Sequence, residues 1–202
     1  MVAPNRGQDP RPRDVRVVLA SKSPQRREIL ARLGVDFEVV ASDTEERTDG
    51  DPEVVVVENA RRKATAVASP GALTIGCDTE VLIDDQLLGK ADDEAEARSH
   101  LERLSGREHT VLSGLVLVGP DAGQERTGVE KSVVWFRDLA PEDVERYLAS
   151  GEWRERAGGY AIQGLGSTLV AGVDGDVANV IGLPVRLLLE LAPDLVADVG
   201  WA

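Results

Sequence analysis

The chain has 202 residues, 42% hydrophobic and 29% charged, a balance that suits one globular domain or two small lobes and excludes a disordered chain. A formal net charge of -13 argues against a nucleic-acid polymer as partner, and aromatics at 3% leave no stacking platform for single strands. The single cysteine, Cys77, excludes an intrachain disulfide and multi-cysteine metal clusters, and fits a reducing, cytoplasmic setting.

Residues 1–14 (MVAPNRGQDPRPRD) lack the apolar stretch of a signal peptide and read as a disordered tail. One domain is expected over residues 15–202. No apolar run is long enough to span a bilayer, so no membrane partner is expected. VRVVLA (15–20) is a buried strand. A helix follows, capped by Ser23, opened by Pro24 and stopped at Gly34. FEVVAS (37–42) is a second strand and SDTEERTDGD an acidic loop. Residues 53–69 form a helix, since the polar ENARRKA outweighs the β-branched VVVV before it. LTIGCDTEVLID (73–84) is a strand that turns at Asp84-Asp85 into QLLG. Residues 92–104 are an amphipathic helix, with His100 on its polar part. Strands are expected at 109–119 and 129–139, a helix at 141–150, then GLGSTLVAGVDGD as a glycine-rich strand region and a last helix within PVRLLLELAPDL. Alternating strands and helices with intruding hairpins predict an α/β fold with a mixed twisted sheet and flanking helices.

Five places in this order could carry chemistry. Ser21, Ser23, Gln25, Arg26 and Arg27 sit at a strand-to-helix junction, where free N–H groups, hydroxyls and guanidinium forks suit an anion; Ser23 as a plain cap and solvated arginines are the other reading. Asp43, Glu45 and Glu46 could hold a hard cation, or be an ordinary acidic loop. Asp78 lies inside an apolar run. A carboxylate there is either a general base or metal ligand, or it stands on a solvated face. Glu80 is on the same side of the strand, as a second acid of the site or as an exposed one. Lys63 and Lys90 could reach a phosphate or be surface lysines. AGGYAIQGLG (157–166) and NVIGLP (179–184) allow close backbone approach to a ligand, yet form neither a dinucleotide fingerprint nor a P-loop. Cys77 and His109 read as structural, and two histidines make a zinc site of the usual kind improbable.

Together the ordered motifs SKSPQRREIL, TEE (44–46), Lys63-Ala64, GCDT, GKA, LSGREH, RAGGYAIQG and NVIGLP resemble the Maf family of nucleotide pyrophosphatases, over about Val17 to Leu189. The resemblance implies two lobes around a central cleft, in a Maf/ITPase-like fold. It implies a nucleotide diphosphatase that cuts nucleoside triphosphates between the α- and β-phosphates with a divalent cation (Mg²⁺, Mn²⁺ or Co²⁺), in a chain that could pair as a homodimer. It assigns the proton acceptor to Asp78 and the specificity positions to Gln25, Thr79 and Gln163. Thr79 and Gln163 match the branch acting on dTTP and UTP; Gln25 stands where that branch has arginine. On this basis Ser21, Ser23, Arg26, Lys63 and Lys90 hold phosphates, and Glu45, Glu46 and Asp78 hold the metal. A nucleotide-binding regulator of cell division, with little or no catalysis, is the alternative that Gln25 keeps open.

Overall fold

The computed structural model describes residues 15–120 and 124–196; the expected tail at 1–14 lies outside them. Seven strands form one sheet: β1 (Arg16–Leu19), β2 (Phe37–Val39), β3 (Ala72–Ile83), β4 (Gln86–Leu88), β5 (Glu108–Val118), β6 (Glu125–Phe136) and β7 (Val170–Asp174). The order is β2-β1-β3-β5-β6-β7, with β4 also on β3. β1 is parallel to β2 and β3, and all other pairings are antiparallel, so the sheet is mixed. Among the described residues six α-helices accompany it: α1 (Pro24–Arg32), α2 (Pro52–Val67), α3 (Glu94–Leu104), α4 (Pro141–Ser150), α5 (Val177–Ile181) and α6 (Val185–Leu191). Among the described residues no helix is long and apolar enough to cross a membrane.

Local chemistry explains most boundaries. The Ser23 hydroxyl accepts the Arg26 N–H at the head of α1. Asp51 caps α2 by accepting from Glu53 and Val54, with Pro52 in the first turn. That cap turns the VVVV run into helix: Val55, Val56, Asn59, Ala60, Lys63 and Ala64 are buried at helical spacing while Val54 is exposed. Asp84 and Asp85 both take positive φ, the backbone of a tight hairpin turn between β3 and β4. Three sequence expectations are corrected. β6 begins at Glu125 rather than 129, because its whole length pairs with β5. The short α5 was not foreseen; Asp176, at the end of the glycine-rich strand region, caps it. His100 is buried, not on a polar face, beside Ala97 and Leu101 in the core.

Among the described residues the sheet carries two large apolar cores and a small third cluster of Ala60, Ala64 and Val116 under α2. One gathers Leu19, Leu30, Ile75, Cys77, Leu115 and Leu188. The other gathers Val81, Leu101, Val111, Phe136, Tyr147 and Tyr160. β3 and β5 run through both, which makes the two lobes halves of one sheet. On β3 the first core ends at Cys77 and the second begins at Val81. The three residues between them are Asp78, Thr79 and Glu80. On one edge β3 carries β1 as far as Ile75 and β4 from Val81. The stretch between is left without a strand on that edge, at the carboxyl ends of the parallel strands, where α/β sheets bind ligands.

Candidate active site

Side-chain alternation divides this stretch of β3 between the two faces of the sheet. Gly76, Asp78 and Glu80 face α2. A Cβ on Gly76 would run into the carbonyl of Ala60, and one on Gly114, opposite Asp78, into the backbone of Val56. The two glycines therefore let α2 lie flat against β3 and β5, and that closeness brings Lys63 to Asp78. The Lys63 ammonium is 2.5 Å from Asp78 Oδ1 and 2.6 Å from Glu46 Oε1, with both Lys63 and Asp78 buried. Burial works against its charge, but Asp78, with help from Glu46, outweighs that and holds the lysine above its ordinary range. Asn59, one turn earlier on α2, donates to Asp78 Oδ2 at 3.0 Å. The same amide grips Arg47 at both its N–H and its carbonyl, tying the acidic loop to the site.

Thr79 faces the other way, toward α1 and the turn after α5. Arg26 crosses that face with three of its donors in use: Nε to the Gly182 carbonyl at 2.8 Å, Nη1 to Ser21 at 3.1 Å and Nη2 to Thr79 at 3.2 Å. A guanidinium has five N–H groups, so two are left. Thr79 also shares a hydrogen bond of 2.8 Å with Ser113, its neighbour across the β3–β5 ladder. Ser21 is buried and accepts from the Ser23 N–H, while the Ser23 hydroxyl donates to the Gln25 amide oxygen at 3.0 Å. Lys63 feels the charge of Arg26, so the cations from the two faces lie within electrostatic reach of each other.

Of the two readings left open for Glu80, the structure does not show an exposed acid. Its Oε2 is buried with no hydrogen-bond partner among the described residues. Burial, then the charges of Asp78 and Glu46, pushes its carboxyl up to about 8, against the pull of Lys63 and Lys90. Lys90 is exposed, 3.1 Å from Glu155, and is close enough to be felt at Glu80. Gln163 is exposed at the head of a 3-10 helix, Gly164–Thr168, and makes no capping bond. Glu45 is exposed, its backbone carbonyl accepting from Arg62.

The acids expected to hold a metal, Glu45, Glu46 and Asp78, are not drawn together. Among the described residues no group of three His, Cys, Asp or Glu side chains stands ready to hold an ion. Lys63 lies between Glu46 and Asp78 and supplies their counter-charge. The donor chemistry nonetheless suits a hard divalent cation. The acids are all carboxylates, they outnumber the one buried ammonium, and the Glu80 Oε2 has no partner. Glu46, Asp78 and Glu80 are the carboxylates that feel one another's charge here.

Sequence reading missed Asn59 and Ser113 as members of this cluster, and named the Gly182 segment only as a place of close backbone approach. Asn59 had a signal, four residues before Lys63 and hence on the same helix face. Ser113 had none, because only the β3–β5 ladder brings it in. Cys77 is buried and 3.5 Å from the Gly182 carbonyl, a packed core thiol. His109 is buried too. Its Nε2 shares a 2.8 Å hydrogen bond with the Tyr160 hydroxyl, and burial holds it down at about 4, hence neutral.

Fold and site together define a mixed-sheet α/β protein with acids and cations gathered on β3 where its two apolar cores meet. A family model described as Maf-like protein matches residues 16–195, and the chain belongs to the Maf family. Relatives named dTTP/UTP pyrophosphatase are similar over most of their length. The one from Deinococcus radiodurans is 45% identical over 179 residues, 87% of this chain and 91% of that one. The one from Moorella thermoacetica is 43% identical over 188 residues, covering 91% and 97%. A Thermoanaerobacter sp. relative (strain X514) is 41% identical over 181 residues, covering 88% and 95%.

Proposed function

We propose that this Maf protein hydrolyses nucleoside triphosphates to the monophosphate and pyrophosphate, with dTTP and UTP favoured, in the cytoplasm. The observation that carries the reading is the buried Lys63–Asp78 pair at the open edge of β3, with Arg26 reaching the same edge from the opposite face. The names of the relatives support the substrate.

In this reading a water oxygen bonds to the α-phosphorus while the bond from that phosphorus to the bridging oxygen breaks. The electron pair leaves with pyrophosphate, and Asp78 accepts the proton of the water. Each Asp78 oxygen has a lone pair beyond the one that Lys63 or Asn59 occupies. The third N–H of Lys63 and the two remaining on Arg26 are donors for the polyphosphate, and exposed Lys90 meets its outer end. A divalent cation, held by Glu46, Asp78 and Glu80 when bound, would supply Lewis-acid polarisation of the phosphate oxygens.

Selectivity is assigned to the other side of the cleft. Thr79 is oriented by Arg26 and Ser113, and the Gln163 amide offers a donor and an acceptor, as the edge of uracil or thymine requires. Gln25 adds no charge here, and its oxygen is engaged by Ser23. Arg26 is then the guanidinium of this helix that serves the phosphates. Pyrophosphate release from a panel of nucleotides with Mg²⁺, Mn²⁺ or Co²⁺ tests the reading. Release from dTTP and UTP ahead of the purine triphosphates supports it; binding without release contradicts it and favours a regulator.

A further inference from the structure

Exposed Gln163 sits on a segment whose two flanks are bolted down. On the leading side, the Ala161 N–H donates to the Tyr147 hydroxyl at 2.9 Å, and Tyr160 is tied to His109. On the trailing side, the Glu152 carboxylate accepts from the N–H groups of Leu165 and Gly166, at 3.0 and 3.1 Å. Tyr147 lies on α4 and Glu152 on the turn directly after it, so one short stretch of chain holds both sides of residue 163. No described hydrogen bond links Tyr147 or Glu152 to Arg26, Lys63 or Asp78. The phosphate-side cluster and this clasp are separate.

We propose that Tyr147 and Glu152 are positioning residues for nucleobase selectivity: together they fix the backbone on either side of Gln163 and so aim its amide. The proposal rests on the pyrimidine-triphosphate reading above. A carboxylate accepting two backbone N–H groups makes charge-assisted bonds, stronger than neutral ones. A loop ordered before the ligand arrives does not lose that freedom on binding, so the affinity for the matching base rises. Gly164 belongs to the same device. Its φ of 66° suits glycine, and a Cβ there would press on the Glu152 carboxylate at 2.6 Å.

The test compares steady-state kinetics of the full chain and of Tyr147→Phe, Glu152→Gln and Gln163→Ala on dTTP, UTP and dGTP, with melting temperatures taken alongside. Tyr147→Phe keeps the buried ring and removes only the acceptor; Glu152→Gln keeps the shape and leaves one good acceptor in place of two. Each is expected to raise KM for dTTP and UTP about tenfold, the size of one lost hydrogen bond, with kcat for dTTP nearly unchanged and the pyrimidine-to-purine ratio falling alike. Adding either change to Gln163→Ala should lower that ratio no further. A uniform loss on all three nucleotides, tracking the melting temperature, overturns the proposal. If Gln163→Ala shifts the ranking while the clasp variants do not, the clasp fails and the base reading survives. If Gln163→Ala leaves the ranking unchanged, both fall.

Discussion

Asp78 stands opposite Gly114 across the β3–β5 ladder, and the bare glycine is what admits α2 to the distance at which Lys63 meets that carboxylate. The Lys63–Asp78 pair therefore depends on a residue with no side chain. Gly114→Ala should force α2 outward, costing about 1–3 kcal/mol as overpacking does, and lower turnover with it. Denaturant melts and initial rates check both effects. An unchanged melt with unchanged turnover would mean that the helix tolerates the methyl and that the glycine does not set the pairing.

Asp78→Asn keeps the size of the side chain and removes its basicity. The expected outcome is a fall in kcat of about 10²–10⁴, with dTTP affinity by calorimetry within a few-fold of wild type. A variant with wild-type kcat would remove Asp78 from its assigned role as proton acceptor.

Lys63→Met preserves most of the stem and deletes the counter-charge of Asp78 and Glu46. The lysine is held above its ordinary range, so in the folded protein it is charged throughout the neutral region and its stabilising effect is lost only at strongly alkaline pH. Its removal at neutral pH should cost roughly 3–5 kcal/mol, the usual result of stranding a buried charge. Near the pH at which carboxylates take up protons, the difference between the two proteins should shrink. An equal cost at both pH values would show that the loss comes from packing alone.

His109 gives a pH signature of its own. Its folded value is lowered from 6.5 to about 4, so the unfolded chain binds the extra proton first. Stability contributed by neutral His109 is full above about 6.5, falls as pH drops through this window and levels off below about 4. His109→Gln should flatten that part of the unfolding free energy against pH relative to wild type. Identical profiles would mean that the ring titrates freely and is not sealed against Tyr160.

Much of the fold was readable because local signals agreed with it. The Ser23 and Asp51 caps, the Asp84-Asp85 turn and the apolar runs of β1, β3 and β5 each name their element. The edges were less legible. β6 extends through Glu125-Arg126-Thr127, polar residues that become strand only because β5 is there to pair with them. The short α5 rests on Asp176 and on tertiary contact more than on periodicity. In the site, sequence order could name Asp78, Lys63 and Arg26 as candidates. It could not tell which side of the sheet Asp78 faces and which Thr79, or that Lys63 fills the space between Glu46 and Asp78. Glu80 stayed open in the sequence between a second acid of the site and an exposed one, and its Oε2 is buried.

The central claim is that water attacks the α-phosphorus at the Lys63–Asp78 edge of β3. Turnover of dTTP in oxygen-18 water, followed by mass spectrometry of the products, tests it most directly. The label is expected in the thymidine monophosphate, with the pyrophosphate unlabelled. Label in pyrophosphate, or release of single phosphate instead, would place the broken bond elsewhere and contradict the account.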